Sequence, residues 1–288
     1  MSRATTRRGR ATTLWTIIGA AAILIYSLGP FIWLFIGSIT PEIKGDFSKP
    51  KLFDKQIVYF PSDPTFQNYI DLFSNVPFAT YLRNSTIIST GNMLLSLTVA
   101  CLGAYAFVRF RFAGRNSLLV GMLVAYTIPS VVLLVPLLVI FRTYGLNNTH
   151  LGMILAESTG SAPFVLLLMI NYFSTLPREI EEAAQVDGCG RFKILWRIVL
   201  PLSLPGLVAG GLLAFIMSWN NFLFAYLLTS TSEVKTLPIL MRQFAQGEPN
   251  VWGVSAAGAV LSALPVAIIF IVFQRMLMNG LAAGAVKG

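Results

Sequence analysis

Residues 181–206 read EEAAQVDGCGRFKILWRIVLPLSLPG. The stretch opens with charge, passes two glycines and ends in an apolar run broken by prolines. Its pattern describes a helix, a turn and a second helix. Pro177 suits a first helical position. Glu179, Glu181 and Glu182 fall in the early turns, where the positive end of the helix dipole favours acids. Ala183 and Ala184 are strong helix formers with little bulk. Asp187-Gly188 stops the helix, because glycine enters the left-handed C-cap conformation without a Cβ penalty. Gly190 adds a second flexible point. Arg191 to Arg197 describe a short basic amphipathic helix, with Phe192, Leu195 and Trp196 near one face. Two small alanines on an exposed helix permit close approach of another surface. The segment therefore reads as a docking element, in preference to an amphipathic loop lying on lipid.

The sequence around this stretch is of a different kind. Of 288 residues, 55% are hydrophobic and 11% charged, against about 25% charged in a soluble domain. Charge-free runs cover 11–41, 84–108, 116–141, 158–177, 198–232 and 249–274. A membrane helix needs roughly 20 mostly apolar residues. The expected fold class is all-α integral membrane, with six transmembrane helices near 14–38, 84–108, 117–141, 151–174, 198–219 and 252–274. Apolar core helices of a soluble protein rarely stay uncharged for so long. The first run exceeds the roughly 7–15 apolar residues of a signal peptide and reads as a retained span.

Charge orients these spans. With the N-terminus in the cytoplasm, the inner segments 1–13, 109–116, 175–197 and 275–288 carry 13 of the 21 basic residues and four of the 12 acidic ones. The whole net charge of +9 then lies on one face. That balance favours anionic lipid headgroups as partner over nucleic acid. The expected organisation is a basic tail (1–13), a first span with an outer loop (14–83), a five-helix core (84–274) that contains the loop 177–197, and a C-terminal tail (275–288). Both termini face the cytoplasm of a multi-pass inner-membrane protein. In the outer loop, Asp63-Pro64 looks like a helix start, and Phe66, Tyr69, Ile70 and Phe73 form an amphipathic stripe ended by Val76-Pro77.

Few residues carry chemistry. Cys101 and Cys189 fall in a span and in the inner loop, so no disulfide is expected. One histidine, His150, excludes most histidine-based metal sites, and no metal is assigned. There is no Walker A, GxSxG or HExxH pattern, and the spans hold no constellation for an intramembrane enzyme. Glu157 stands alone inside the fourth span, followed by Ser158, Thr159, Gly160 and Ser161. A carboxylate there faces a polar cavity or a partner. It reads either as lining a translocation path, with Ser161, or as solvated from outside or paired with a neighbouring subunit. Trp219 fits an interfacial aromatic anchor, and with Asn220 and Asn221 it is also a candidate for the substrate path. Asn220 and Asn221 suit either hydroxyl-rich ligands or helix caps.

Glu182-Ala183-Ala184, three residues, Gly188, nine residues, Ile198, one residue and Leu200-Pro201 form a pattern that resembles the EAA loop of ATP-binding cassette importer permeases. "FQNYIDLF", "YLRNS", "SWNNFLFAYLL" and "GLAAGAVKG" extend the resemblance to the carbohydrate-uptake branch, over nearly the whole chain. The resemblance implies a six-span permease that couples to a separate ATPase through Glu181, Glu182, Ala183, Ala184, Asp187, Gly188, Ile198, Leu200 and Pro201. Glu182 would meet a basic group on that ATPase, Gly188 would allow the turn, and both alanines would form the packed face. It further implies a second permease subunit as heterodimer partner, two ATPase subunits, an extracytoplasmic sugar-binding protein, and ATP and Mg held by the ATPase rather than this chain. Glu157 has no counterpart in the family pattern. The alternatives are a permease for a non-sugar solute and a proton-coupled secondary transporter using Glu157. No Lys or Arg lies well inside a span, which disfavours an oxyanion.

Overall fold

The charge-free runs become helices. The computed structural model describes residues 4–41, 60–61, 63–246 and 252–285. In chain order the helices are α1 (Ala4–Ser38), α2 (Gln67–Asn75), α3 (Phe78–Arg109), α4 (Arg115–Thr127), α5 (Ser130–Thr143), α6 (His150–Ser174) and α7 (Arg178–Val186). They continue with α8 (Arg191–Leu202), whose middle turns, Leu195–Val199, are π-helical. Then come α9 (Leu204–Trp219), α10 (Leu223–Leu228), α11 (Leu237–Ala245) and α12 (Trp252–Ala285). The described residues contain no strand.

Among the described residues, four helices are long and apolar enough to cross a membrane: Trp15–Ser38, Phe78–Arg109, His150–Ser174 and Trp252–Gln274. The other two expected spans are not continuous helices. Residues 117–141 break between Thr127 and Ser130, and α4 and α5 meet at 97°. Pro129 sits at the break and α5 begins directly after it. Residues 198–219 break at Ser203, where α8 and α9 meet at 82°. Counting each bent pair as one span gives six. Pro30, Pro136, Pro163 and Pro265 stay inside continuous helices.

The chain divides into two compact units. The smaller holds α1, α2 and the start of α12. There the Asn68 amide donates to the Ser38 and Thr40 carbonyls at 2.9 Å each, and Tyr69 Oη pairs with Ser38 Oγ at 2.7 Å. Two expectations change here. The helix starts at Gln67, three residues after the Asp63-Pro64 signal, and it is the Thr65 hydroxyl that accepts from the Gln67 N–H. Its buried positions are Asn68 and Leu72, while Phe66, Ile70 and Phe73 are exposed. The expected basic tail is also helical from Ala4, continuous with the first span, and the C-terminal tail is helical to Ala285. Residues 1–3, 42–59, 62 and 286–288 of the expected tails and outer loop lie outside the described residues.

The larger unit is built on α3, α6 and α9. In lipid the apolar contacts between helices gain from packing rather than from expulsion of water, so small residues that permit close approach matter most. Gly206 and Gly210 lie one turn apart on α9. A Cβ at Gly206 would stand 2.7 Å from the Tyr172 ring, and one at Gly210 would stand 3.0 Å from Val165. The glycines let α9 settle directly onto α6. Around them Phe173, Met169, Val165, Ala104 and Ala100 form a fully buried core. At about 1.5 Å per residue, the 32 residues of α3 span roughly 48 Å, well beyond a hydrocarbon layer of about 30 Å. This excess length carries Arg109 out to the level of the loop after α6.

Candidate functional site

That loop is held by a buried ion pair. Arg109 Nε donates to Glu181 Oε1 at 2.7 Å, and its terminal nitrogen lies 2.6 Å from the same oxygen. Both side chains are 7% exposed. Tyr105 Oη donates to Glu181 Oε2 at 3.3 Å. Arg109 also donates to the carbonyls of Phe173 and Leu176 at 3.3 Å each. These belong to the C-terminal end of α6, where helical carbonyls lack intrahelical partners and cations are favoured. Arg178 makes the reciprocal tie, donating to the Val108 carbonyl near the end of α3 at 3.2 Å. Two helix ends and the start of α7 are thus joined by two arginines.

α7 divides into two faces. Glu181 and Ala184 are buried, and Ala184 joins the apolar core. Glu182, Ala183, Gln185 and Val186 are exposed, Val186 at 89%. The helix begins at Arg178 with Pro177 as its N-cap, one residue later than the sequence suggests. It ends in a Schellman motif. Cys189 N–H donates to the Ala184 carbonyl at 2.9 Å, Gly188 N–H donates to the Gln185 carbonyl at 3.0 Å, and Gly188 has φ +79°. Gly190, by contrast, has φ −68° and ψ 154°, a conformation open to any residue.

The remaining coupling residues follow in α8. Ile198 and Leu200 are half-buried against the core, and Pro201 is exposed. Pro201 supplies no N–H to the Arg197 carbonyl, and the wider π turn just before it accommodates the ring. Phe192 and Trp196 share an exposed face, with ring centroids 6.2 Å apart, but Leu195 points the other way and is 3% exposed.

The candidate path residues do not form one open lining. Glu157 is 4% exposed. Its Oε2 accepts from the Ser218 hydroxyl, and its Oε1 is buried with no hydrogen-bond partner among the described residues. Within this chain the carboxylate thus faces the interior rather than the surface. Ser161 is buried, donates to Asn92 Oδ1 at 2.9 Å and lies 2.8 Å from Ser96 Oγ. The Asn92 amide donates in turn to the Ala214 carbonyl at 3.1 Å. Glu157, Ser161, Ser218 and Asn92 thus belong to the interior between α3, α6 and α9. Trp219 is no interfacial anchor by itself: it is 5% exposed and stacks on Phe215 with centroids 5.4 Å apart. The two asparagines act as caps. Asn220 donates to the Ile216 carbonyl at 3.0 Å, and Asn221 Oδ1 accepts from the Phe224 N–H at 3.1 Å.

Sequence reasoning missed Arg109, Tyr105 and Asn92, and the first two do not stand out in the sequence. Asn92 does carry a signal, since an amide inside a span must find a partner.

The chain is thus an all-helical membrane protein with a helix–turn–helix tied to the ends of two of its helices. The chain belongs to the family of binding-protein-dependent transport system inner membrane components, which matches residues 96–282. It is 36% identical to the sulfoquinovosyl glycerol transport system permease protein of Agrobacterium fabrum, over 94% of this chain and 93% of that one. It is 34% identical to the trehalose/maltose transport system permease protein of Thermococcus litoralis, over 94% and 96%. A chain in the crystal structure of a bacterial ABC transporter that imports alginate has the same fold, with a TM-score of 0.77 at 24% identity over 96% of this chain and 99% of that one.

Proposed function

We propose that this chain is the permease subunit of an ATP-driven sugar importer. It pairs with a second, different permease around a central path. Two ATPase subunits, which hold ATP and Mg, bind at the α7 end, and a sugar-loaded binding protein docks on the opposite, extracytoplasmic side. Sugar as the cargo is supported by the relatives, permeases of sulfoquinovosyl glycerol, trehalose/maltose and diacetylchitobiose systems, each matched nearly end to end.

The observation that carries the coupling role is the division of α7. One face is tied to α3 and α6 through Glu181–Arg109, and the other leaves Glu182 and Ala183 exposed. A push on the exposed face therefore reaches α3 and α6 through the arginine ties without first being absorbed by a loose loop. Nucleotide-driven closure of the ATPases and the loaded binding protein each bias a two-state rocking of the permeases. Glu182 pairs with a basic group on the ATPase. Ala183 gives the close approach, and Ala184 sets the depth of α7 from within.

Purification in mild detergent tests this reading. The chain is expected to bring down one different permease and two copies of an ATPase, whose hydrolysis rises with loaded binding protein. Glu182→Ala is expected to lose that stimulation and uptake while membrane levels and thermal stability stay unchanged, since exposed substitutions usually cost within about 0.5 kcal/mol. Uptake driven by a pH gradient without any ATPase would replace this reading with the proton-coupled one.

A further inference from the structure

We propose that α8 lies in the plane of the membrane at the α7 end of the molecule and anchors there on anionic lipid headgroups. The geometry comes first. α8 meets α9 at 82°, so when α9 stands along the membrane normal α8 runs nearly parallel to the surface. α9 is 16 residues long, about 24 Å, and falls roughly 6 Å short of a hydrocarbon layer of about 30 Å. An interfacial helix sinks roughly 5–10 Å into the boundary between headgroups and acyl chains. The shortfall of α9 is therefore the depth at which α8 would sit.

The two faces of α8 agree with this position. Ile194, Leu195 and Val199 are buried in the core of the larger unit. Phe192 is 69% exposed and Trp196 57%, and Leu202 and Leu204 at the bend are exposed as well. Two neighbouring exposed rings, with exposed leucines at the bend, form an apolar patch that is unfavourable in water. At a headgroup boundary aromatics are the favoured residues, with Lys and Arg stems extending to the phosphates. Arg191, Lys193 and Arg197 flank the two rings and are all exposed. No acidic residue occurs from Gly188 to Ser232. The surface continues onto the α3–α4 loop. The Arg191 guanidinium lies 4.9 Å from the centroid of the Phe110 ring, and Arg111 and Phe112 beside it are exposed. Each basic residue near an anionic surface favours contact about fivefold, so charge selects the lipid class and the aromatics set the depth. The inference rests on the membrane fold and is independent of the transported solute.

The experiment places an environment-sensitive fluorophore on Phe192→Cys or Trp196→Cys, with Cys101→Ala and Cys189→Ser removing the native thiols. The full chain, purified with its subunits, is returned to phosphatidylcholine vesicles with or without phosphatidylglycerol. Emission is expected to be blue-shifted and quenched by lipids carrying a nitroxide near the headgroup. Quenching should be stronger with phosphatidylglycerol, and should persist after an alkaline wash that strips peripheral subunits. The variant R191Q/K193Q/R197Q should lose the preference for phosphatidylglycerol. Water-like, unquenched emission would overturn the proposal. So would a blue shift present only before the wash and without lipid quenching, which would assign the face to a protein partner. Equal quenching in both vesicle types would overturn the anionic requirement.

Discussion

Two glutamates of this chain are buried to nearly the same degree, one in the first third of α6 and one in the first turn of α7, and their surroundings are opposite. Glu181 faces Arg109, receives three hydrogen bonds or ionic contacts on its two oxygens, and joins segments 72 residues apart. Glu157 receives one hydroxyl, from Ser218, and its second oxygen has no partner among the described residues. Among the described residues no cation forms an ion pair with it. A buried charge becomes a structural bolt only when a counter-charge and donors surround it. Depth in the membrane does not by itself make a carboxylate important to the fold. The residue that stands out as a lone acid in a span carries less of the architecture than the acid hidden among three others in a polar loop.

The largest effect should come from removing one side of the bolt. Arg109→Leu leaves the Glu181 carboxylate buried without its counter-charge, and it removes one donor from each of the Phe173 and Leu176 carbonyls. A loss of about 3–5 kcal/mol is expected, read as a fall in the thermal midpoint of the detergent-purified chain. Arg109→Leu with Glu181→Leu should recover part of that loss, because no unpaired charge remains, while the coupling of hydrolysis to uptake stays impaired. Equal stability of the single and double variants would deny that the pair acts as a unit.

A smaller effect is expected at the turn that follows. Gly188→Val meets open space, since no atom lies within 4 Å of where its Cβ would stand, but it must hold φ +79°. Left-handed backbone costs a residue with a Cβ about 1–2 kcal/mol. The strain should appear as loss of uptake at normal membrane levels, with Gly188→Asn retaining more activity because asparagine tolerates the conformation. Normal uptake by Gly188→Val would separate the turn from the coupling role.

What the sequence discloses follows from range. The spans are legible because charge exclusion acts on every residue of a run. The Gly188 stop is legible because a left-handed C-cap is a local demand. The breaks at Pro129 and Ser203 are not. Pro136 and Pro163 sit in equally apolar sequence and leave their helices whole, so the outcome depends on whether neighbours re-satisfy the freed carbonyls. Which of Glu181 and Glu182 turns inward depends on Arg109, far away in sequence. Trp219 has the composition of an interfacial anchor, yet Phe215 one turn earlier draws it into the interior. Asn220 and Asn221 carry both of their readings in their chemistry, and only the positions of the Ile216 carbonyl and the Phe224 N–H decide for caps.

The smallest effect on stability is expected at Glu157, and the same substitution made at Glu181 sets its scale. Glu181→Gln keeps the shape but leaves Arg109 without a counter-charge, so it should approach the loss seen for Arg109→Leu. Glu157→Gln keeps an acceptor for the Ser218 hydroxyl and removes no ion pair, so its cost should stay below about 1 kcal/mol, the worth of a single hydrogen bond. Uptake should follow stability in both cases. A Glu157→Gln chain that is fully stable yet transports nothing would give the carboxylate a part in the transport cycle that its buried position does not require. It would also move the comparison between the two glutamates from architecture to mechanism.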